Sequence, residues 1–295
     1  MIDPSLNPVA ILASLGISDV TEIIPVTGGS DTAIWRVLWQ DQPYALRMFR
    51  AEQQPVFERE IAVMQMAAAG GVIVPAIIRQ GMWERRPVLL LSWIAGKTLA
   101  AQLMAQPLSG WNAGKAFGAM QAKIHQIKPP SQDDPTDWIE WAGDEPELKV
   151  RLYDLKSRQT ALLHLDYHPL NVMVVDGSQI SGVLDWANAR MGDPRADFAR
   201  TYTILRVEPY SPTGDSLQLA LLRRVLESAW RTGYIKIAGN GALKEMALFY
   251  AWAGAVMICD LSPKIGRAGH WLKDQHLDQV RRWRDHWKRQ AGIKV

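Results

Sequence analysis

The most informative stretch of this chain is HLDYHPLN, at residues 164–171. Short apolar runs at residues 161–163 and 172–175 flank it, so the sequence predicts a polar loop between two short strands. Asp166 and Asn171 are separated by four residues, which lets the chain reverse and bring both side chains to one ligand. A carboxylate that accepts a proton and an amide that holds a metal ion form a pair of this kind.

A second acidic residue follows where such a pair would need it. Asp185 comes at the end of a predicted strand, 180–184, and the turn at 176–178 (Asp-Gly-Ser) joins that strand to the preceding one. The order H-x-D-x-x-x-x-N, hairpin, Asp is typical of a kinase catalytic loop and the metal-binding aspartate after it. The pattern predicts phosphoryl transfer, with Asp166 taking the proton of an acceptor hydroxyl.

The two halves of the chain differ in their predicted secondary structure. Residues 17–92 predict a small antiparallel sheet carrying one helix, with strands at 21–26, 33–39, 44–49, 77–80 and 88–91 and the helix at 55–68. From Thr98 onward the pattern is mainly helical, with candidate helices at 98–105, 110–127, 145–157, 194–206, 215–232, 241–259 and 270–290. We therefore expect an α+β fold of two lobes, residues 1–95 and 96–295, joined by a hinge near residues 92–96.

Phosphate-binding elements are expected upstream of the loop. Gly28, Gly29 and Ser30 lie between the first two predicted strands, where glycines let backbone amides approach phosphate oxygens. Arg47, on the third strand, is the cation expected to contact the α- and β-phosphates. Glu60 on the following helix would orient that cation, with Glu58 as the rival.

At this point the chain resembles the aminoglycoside phosphotransferase and choline kinase superfamily, which shares the protein-kinase fold. The resemblance covers roughly residues 20 to 260. It is carried by the loop residues His164, Asp166, His168 and Asn171, by Asp185-Trp186, by Gly192-Asp193-Pro194 with Asp197, and by His125.

The resemblance implies a protein-kinase-like fold, with a nucleotide-binding N-terminal lobe and a catalytic, acceptor-binding helical C-terminal lobe. It also implies ATP or GTP and Mg²⁺ as cofactors. Asp166 would be the catalytic base, Asn171 and Asp185 would hold Mg²⁺, and His164 and His168 would support the loop. Glu60 would pair with the strand cation. The purine would lie at the hinge residues Ser92, Trp93 and Ile94.

Two positions depart from the superfamily pattern. Leu165 stands where glycine is common, which we interpret as a mild packing change. Arg47 stands where lysine is usual, and a planar, bidentate guanidinium is not a neutral replacement for an ammonium group. Because the positive charge is retained, phosphate binding is still expected.

Three further residues of the pattern have structural interpretations. His125 near a helix end is expected to contact the terminal carbonyls of that helix. Asp193 and Asp197 are expected to be the cap and a first-turn charge of the helix at 194–206.

Composition narrows the class of protein. The 295 residues carry a net charge of +3, too small to indicate nucleic-acid binding. A single cysteine, Cys259, excludes an intramolecular disulfide, and its apolar surroundings predict a buried thiol. The apolar run at 246–258 is shorter than a membrane span, and the first residues do not resemble a signal peptide. We expect a cytoplasmic protein that binds neither nucleic acid nor membrane.

Several alternatives stay open. The H-x-D-x-H spacing of His164, Asp166 and His168 also occurs in metal hydrolases, which would need further ligands. Arg47 raises the possibility of a nucleotide-binding pseudokinase without turnover. A protein kinase is disfavoured because only seven residues separate Asp185 from Asp193, too few for an activation segment.

The acceptor is expected to be a hydroxyl of a small molecule. Residues 206–295 contain 15 Lys and Arg against 8 Asp and Glu, a balance that weakly disfavours a polycationic aminoglycoside. An aromatic cage for choline, a sugar or a hydrophobic natural product all remain open, as does the oligomeric state.

Overall fold

The computed structural model describes residues 6–26, 32–128, 136–209, 216–267 and 270–295. It divides into two compact units. The first unit comprises Met1–Gly96 and Ser181–Ala187, and the second comprises Lys97–Ile180 and Asn188–Val295. The expected division near residue 95 was a single cut in the chain, whereas here a short later segment that includes Asp185 also belongs to the first unit.

The first unit is built on a five-stranded antiparallel sheet in the order β1-β2-β3-β5-β4. Its strands are β1 (Val20–Pro25), β2 (Ala33–Trp39), β3 (Gln42–Met48), β4 (Ile77–Trp83) and β5 (Arg86–Ser92). β5 is the most buried, since Val88 to Leu91 are each less than a tenth exposed. Its interior position between β3 and β4, with side chains buried in succession, is consistent with a sequence that is a continuous apolar run rather than an alternating one.

Two tight turns connect neighbouring strands of this sheet, and β3, β4 and β5 extend past their predicted bounds at these turns. Gln40 and Asp41 both have positive φ (51° and 58°) and connect the paired residues Trp39 and Gln42. Glu84 and Arg85 (46° and 63°) do the same between β4 and β5. Two-residue turns of this kind match the twist of a hairpin but usually contain Asn or Gly. β3 begins two residues before its predicted start, β4 ends three residues after its predicted end and β5 begins two residues early, whereas β2 has its predicted bounds.

Two helices complete the first unit. α1 (Pro8–Ser14) is capped by Asn7, whose side chain accepts from the Val9 and Ala10 amides. Its apolar face packs with the sheet in a cluster that includes Ile11, Leu12 and residues of β2, β3 and β5. α2 (Gln54–Ala69) follows a short 3-10 turn and carries Glu60 on its buried side.

The second unit is mainly helical, as expected. Its helices are α3 (Leu99–Ala105), α4 (Gly110–Ile124), α5 (Pro146–Tyr153), α6 (Pro194–Val207), α7 (Leu217–Ala238), α8 (Met246–Leu261) and α9 (Asp278–Gln290). α7 continues six residues past its predicted end, and the segment predicted as one helix from residue 270 is a 3-10 turn followed by α9.

Short strands hold the predicted catalytic loop. β6 (Lys97–Thr98) pairs with β8 (Val172–Val175), and the turn at residues 176–178 leads into β9 (Gln179–Val183). β7 (Ala161–Leu163) pairs antiparallel with β10 (Arg190–Gly192), a strand that the sequence did not predict. Residues 164–171 therefore leave β7 and enter β8, both of which are largely buried.

Helices α4 and α7 meet along a seam of glycines. A methyl group at Gly118 would collide with the Trp230 carbonyl and lie 2.7 Å from the Tyr234 nitrogen, and one at Gly233 would collide with the Lys115 carbonyl. Residues further along α4 face residues further along α7, so the two helices run parallel. Only glycine permits this backbone contact.

Helix α8 corrects two expectations. With the 3-10 turn after it, the helix spans Met246–Lys264 and is by length and composition long and apolar enough to cross a membrane, although the apolar run at 246–258 is shorter than a span. Two-thirds of it is buried, against Trp138, Ala196 and other core residues, which is the environment of a core helix. Cys259, expected to be buried, is exposed because it lies in the last turn of α8.

Helix α9 is amphipathic, and its apolar side is used inside the unit. Val280 is buried, and Trp283 and Trp287 pack on the core containing α8. Several of its cations are paired, including Arg284 and Lys288, which both contact Glu145 (3.2 and 2.8 Å). These contacts use the apolar side and part of the basic side of α9 within the second unit.

Candidate active site

The predicted catalytic loop has an unusual backbone conformation at its second residue. Leu165 has φ of +60°, in the left-handed region where a residue with a Cβ is strained by about 1–2 kcal/mol. Its side chain is fully buried in the main core of the second unit. The replacement of glycine at this position is therefore more than a packing change, since the conformation is one that glycine adopts freely.

Asp197, in the first turns of α6, holds the start of the loop. Its Oδ1 accepts a hydrogen bond from the Leu165 amide (2.7 Å) and its Oδ2 accepts one from the His164 amide (3.1 Å). Asp193 is the N-cap of α6, as predicted, and accepts from the Arg195 amide. Asp197, by contrast, is not merely a helix charge, because its carboxylate is fully buried and committed to the loop.

A histidine and a tyrosine complete the surroundings of Asp197. His125 Nε2 lies 2.9 Å from Asp197 Oδ2, and His125 Nδ1 lies 2.8 Å from the Tyr234 hydroxyl. His125 is the C-cap of α4, and its backbone amide donates to the Gln121 carbonyl, so the expected contact with terminal carbonyls is made by the backbone. The ring itself does not contact those carbonyls, since both ring nitrogens have these other partners. Burial raises the pKa of Asp197, but the hydrogen bond and charge of His125 outweigh it and hold that pKa below its usual value.

Two further residues of α6 hold carbonyl groups of the loop. Arg200 Nε donates to the Leu165 carbonyl (3.4 Å), and the Thr201 hydroxyl donates to the Tyr167 carbonyl (2.8 Å). Thr201 in turn accepts from the Gln121 side chain of α4 at 2.9 Å. One face of α6 thus binds both the amides and the carbonyls of residues 164–167.

Asp166 lies among polar partners at the centre of the loop. The Asn171 side-chain nitrogen is 3.0 Å from the Asp166 carbonyl and 3.3 Å from its Oδ2. His168 Nε2 is 3.6 Å from Asp166 Oδ1, while His168 Nδ1 accepts from the Leu170 amide (3.2 Å). His164 Nδ1 accepts from the Asp166 amide at 3.3 Å. The structure therefore brings together the four predicted loop residues.

The electrostatics favour an ionised Asp166. Burial raises the pKa of this carboxyl, but the hydrogen bond and charge of His168, with the charge of Arg200, lower its pKa to about 2. A carboxylate this acidic is a weak base. It is suited to accepting a hydrogen bond from a hydroxyl and taking its proton late in a reaction.

Arg47, Glu60 and Asp185 form a second charged cluster, in the first unit. Arg47 donates to Glu60 Oε1 (2.6 Å), to Asp185 Oδ1 (3.3 Å) and to the Thr32 hydroxyl (3.1 Å). Glu60, rather than Glu58, is thus the partner of the strand cation, and Glu58 instead accepts from Gln54. Glu60 Oε1 also accepts from the Trp186 amide (3.3 Å), which ties α2 to the segment carrying Asp185.

Not every oxygen atom of this second cluster has a hydrogen-bond partner among the described residues. Burial lowers the pKa of Arg47, but the charges of Glu60 and Asp185 outweigh it and keep the guanidinium charged. Glu60 Oε2 is buried and has no hydrogen-bond partner among the described residues. The Asp185 side chain is 48% exposed, and its backbone has φ of +59°. The Asp185 carboxylate is therefore accessible to solvent.

The predicted nucleotide-binding residues have mixed outcomes. Gly28, Gly29 and Ser30 lie outside the described residues. Ser92 ends β5, where its hydroxyl accepts from the Ala76 amide (2.8 Å). Trp93 and Ile94 follow as non-strand residues that are each partly exposed. The adenine-binding role of these three residues remains a prediction.

Within the described parts of the chain, no group of three or more His, Cys, Asp or Glu is arranged to hold a metal ion. The metal-hydrolase alternative requires such a group and is not supported there. A magnesium site completed by a nucleotide does not require it, because Mg²⁺ is usually held by one or two protein oxygens together with phosphates and water. Asn171 and Asp185 each carry oxygen atoms of the kind that Mg²⁺ binds, and their roles as metal ligands remain predictions.

Sequence reasoning missed two residues near Asp166. Arg200, in the middle of α6, and Glu208, the C-cap of α6, both interact electrostatically with residues of the loop. Burial raises the pKa of Glu208, and the charges of His168 and Arg200 offset part of that effect. Neither residue belongs to a motif, but Arg200 lies one helical turn after Asp197, on the same face of the predicted helix.

Comparisons with known proteins identify relatives of this chain in sequence and in fold. The chain is similar over 114 residues, at 26% identity, to the "Probable ketoamine kinase" of Lactiplantibacillus plantarum, a match that spans 39% of this chain and 36% of that protein. The whole fold resembles two kinds of solved structure. One is aminoglycoside phosphotransferase APH(4)-Ia, in a ternary complex with AMP-PNP and hygromycin B (TM-score 0.66, 14% identity, 97% of this chain and 98% of that one). The other is aminoglycoside-3'-phosphotransferase of type VIII (TM-score 0.64, 18% identity, 84% and 97%).

These likenesses establish the protein-kinase-like α+β fold that the sequence predicted. The sequence also matches the profile named "Phosphotransferase enzyme family" (APH) over residues 22–159 and 145–234. This match covers the loop at 164–171, Asp185 and α6, and well over half of the chain. The chain therefore belongs to the APH phosphotransferase family.

Proposed function

We propose that this protein transfers the γ-phosphoryl group of ATP, or of GTP, to a hydroxyl group of a small molecule. The observation that carries the proposal is the arrangement of Asp166, Asn171 and His168 on a loop clamped by α6. Family membership and the AMP-PNP and hygromycin B held by the solved relative support it.

Asp166 is the proposed base. Its ionised carboxylate accepts the hydrogen bond of the acceptor hydroxyl, orients the oxygen for attack on the γ-phosphorus, and takes the proton as the new P–O bond forms. The Asn171 side-chain nitrogen, which donates to Asp166, holds the carboxylate in place. Catalysis then consists mainly of positioning and charge stabilisation.

The oxygen ligands of the proposed magnesium ion are Asn171 and Asp185. Because the Asn171 nitrogen is turned toward Asp166, its amide oxygen is left to bind a cation. Bound Mg²⁺ would neutralise charge on the phosphates. Arg47, held by Glu60, is the proposed cation for the α- and β-phosphates, assisted by the amides near Gly28 and Gly29.

A small-molecule acceptor is supported by the short connection after Asp185. Strand β10 begins at Arg190 and α6 at Pro194, which leaves no room for an activation segment that would dock a peptide. Two acceptor classes have support from the relatives: aminoglycosides, from the solved structures, and ketoamines, from the Lactiplantibacillus protein. We also propose that the protein acts in the cytoplasm, where its nucleotide is available, without nucleic-acid or membrane partners.

The role of Asp166 is tested by Asp166→Asn. We expect turnover to be abolished while nucleotide binding, measured by calorimetry, is unchanged. The matched control is Asp176→Asn in the exposed turn between β8 and β9, which should retain full activity. An active Asp166→Asn enzyme would refute the assignment.

The acceptor is sought by measuring ADP release across aminoglycosides, ketoamines, amino alcohols, macrolides and sugars. Stimulation by one class identifies it. A protein that binds nucleotide but shows neither stimulated nor slow basal hydrolysis would instead be the pseudokinase suggested by Arg47.

A further inference from the structure

We propose that Arg200 is a positioning residue for Asp166, acting through the backbone of Leu165. The inference rests on the proposed function for its catalytic consequence, but its structural part is independent of any substrate. It assigns a role to a buried cation that belongs to none of the motifs described above.

Arg200 and Asp197 hold the two peptide groups on either side of Leu165. Asp197 accepts from the Leu165 amide at 2.7 Å and so fixes the 164–165 peptide. Arg200 Nε donates to the Leu165 carbonyl at 3.4 Å and so fixes the 165–166 peptide. Together the two contacts set both dihedral angles of Leu165, and hence the direction in which the Asp166 Cα leaves the strand.

Leu165 needs this support because its backbone is left-handed. A leucine in that region is strained by about 1–2 kcal/mol, and rotation of an adjacent peptide would relieve the strain. Such a rotation would turn the Leu165 carbonyl away from Arg200 and displace Asp166. A glycine at this position would have little strain to relieve and would depend less on Arg200.

Arg200 is itself held in place from outside the loop. Its NH2 group lies 2.8 Å from Asp260 Oδ2, at the end of α8, and the residue is only 5% exposed. Its NH1 group is buried and has no hydrogen-bond partner among the described residues. A charge left partly unpaired in the interior is costly, which argues that its position next to the loop serves a purpose other than stability.

The first experiment compares Arg200→Met with Arg200→Lys and with a control, Arg206→Met. The control removes an arginine from the same helix that pairs instead with Glu227, away from the loop. For Arg200→Met we expect kcat to fall by about 100-fold with unchanged nucleotide affinity, because a small displacement of a reacting group has an effect of that size. Arg200→Lys should recover part of the loss. Equal kcat in Arg200→Met and Arg206→Met would overturn the proposal.

The second experiment tests the link to Leu165 without measuring activity. Arg200→Met is combined with Leu165→Ala, which keeps the strained Cβ, and with Leu165→Gly, which removes it; both lose the same packing apart from one methyl group. Hydrogen exchange of the peptide covering residues 160–172 is then followed by mass spectrometry.

We expect Arg200→Met to accelerate exchange about tenfold or more in the alanine background and much less in the glycine background. Equal acceleration of exchange in both backgrounds, or no acceleration in either, would refute the proposal that Arg200 acts through the backbone of Leu165. Strong coupling in a protein that shows no turnover with any acceptor would support this inference and contradict the proposed function instead.

Discussion

The charged clusters around Asp197 and around Arg47 differ in how completely their members are paired. Around Asp197, in the second unit, both carboxylate oxygens have partners: two backbone amides and the His125 ring. Around Arg47, in the first unit, Glu60 has one oxygen without a partner among the described residues. Asp185, at the other end of that cluster, is half exposed.

This difference suggests a division of labour. A fully paired, fully buried cluster has a single arrangement, because each alternative leaves a buried charge without a partner. A partly paired cluster can exchange a protein contact for a ligand contact at low cost. We therefore expect the Asp197 cluster to determine the shape of the catalytic loop, and the Arg47 cluster to rearrange when nucleotide binds.

Breaking the Asp197 cluster should have the largest effect. Asp197→Ala leaves two buried amides and the His125 ring without their acceptor, and we expect it to lower the free energy of unfolding by about 3 kcal/mol. Chemical denaturation at pH 7 measures this loss. A loss below about 1 kcal/mol would show that the cluster does not hold the loop.

The same variant gives a pH test with a definite sign. Since the pKa of Asp197 is lower in the folded protein than in the unfolded chain, its contribution to stability is present above the ordinary aspartate pKa. It is lost as the pH falls through the folded value. The stability gap between wild type and Asp197→Ala should therefore be constant above about pH 5 and shrink below about pH 4.

Breaking the Arg47 cluster at Glu60 should mainly affect ligand binding. Glu60→Gln keeps the shape of the side chain but removes a charge at 2.6 Å from Arg47, which then retains Asp185 as its only charged partner in the cluster. We expect a stability loss of about 1–2 kcal/mol and weaker nucleotide binding by calorimetry. Glu58→Gln, on the same helix, is the control and should bind nucleotide normally.

Arg47→Lys should have the smallest effect, and it tests whether the Arg47 cluster needs the guanidinium group or only its charge. An ammonium group retains the charge but cannot reach Thr32, Glu60 and Asp185 at once, as the guanidinium does. We expect a stability change below about 1 kcal/mol and nucleotide affinity within about tenfold of wild type. Loss of nucleotide binding in this variant would mean that the guanidinium fork itself is required.

Much of this architecture could be predicted because local patterns and tertiary environment agree. Strands β2, β7 and β8 have the predicted bounds, since each is an apolar or β-branched run ended by polar residues. The loop at 164–171 was recognised from the H-x-D-x-x-x-x-N spacing of His164, Asp166 and Asn171, followed by a hairpin and Asp185. The roles of these residues in catalysis and metal binding stay predictions.

The features that escaped prediction depend on contacts between distant residues. Strand β10 exists because residues 190–192 pair with β7, about 30 positions earlier in the chain. Nothing next to Asp197 in sequence shows that it accepts hydrogen bonds from residues 164 and 165. The left-handed backbone of Leu165 was not predicted, because glycine is the usual sequence signal for that conformation and this residue is a leucine.

The glycine seam between α4 and α7 has a consequence for this loop. Tyr234, on α7, reaches His125, at the end of α4, only because Gly118 and Gly233 let the two helices touch backbone to backbone. An added methyl at either glycine would wedge the helices apart and lengthen the Tyr234–His125 contact, from which the constraint passes to Asp197 and the loop. The alignment of the Asp166 carboxylate thus depends on two glycines that are far from it in sequence. Random mutagenesis screened for altered turnover should therefore find variants at these glycines as well as around the reacting groups.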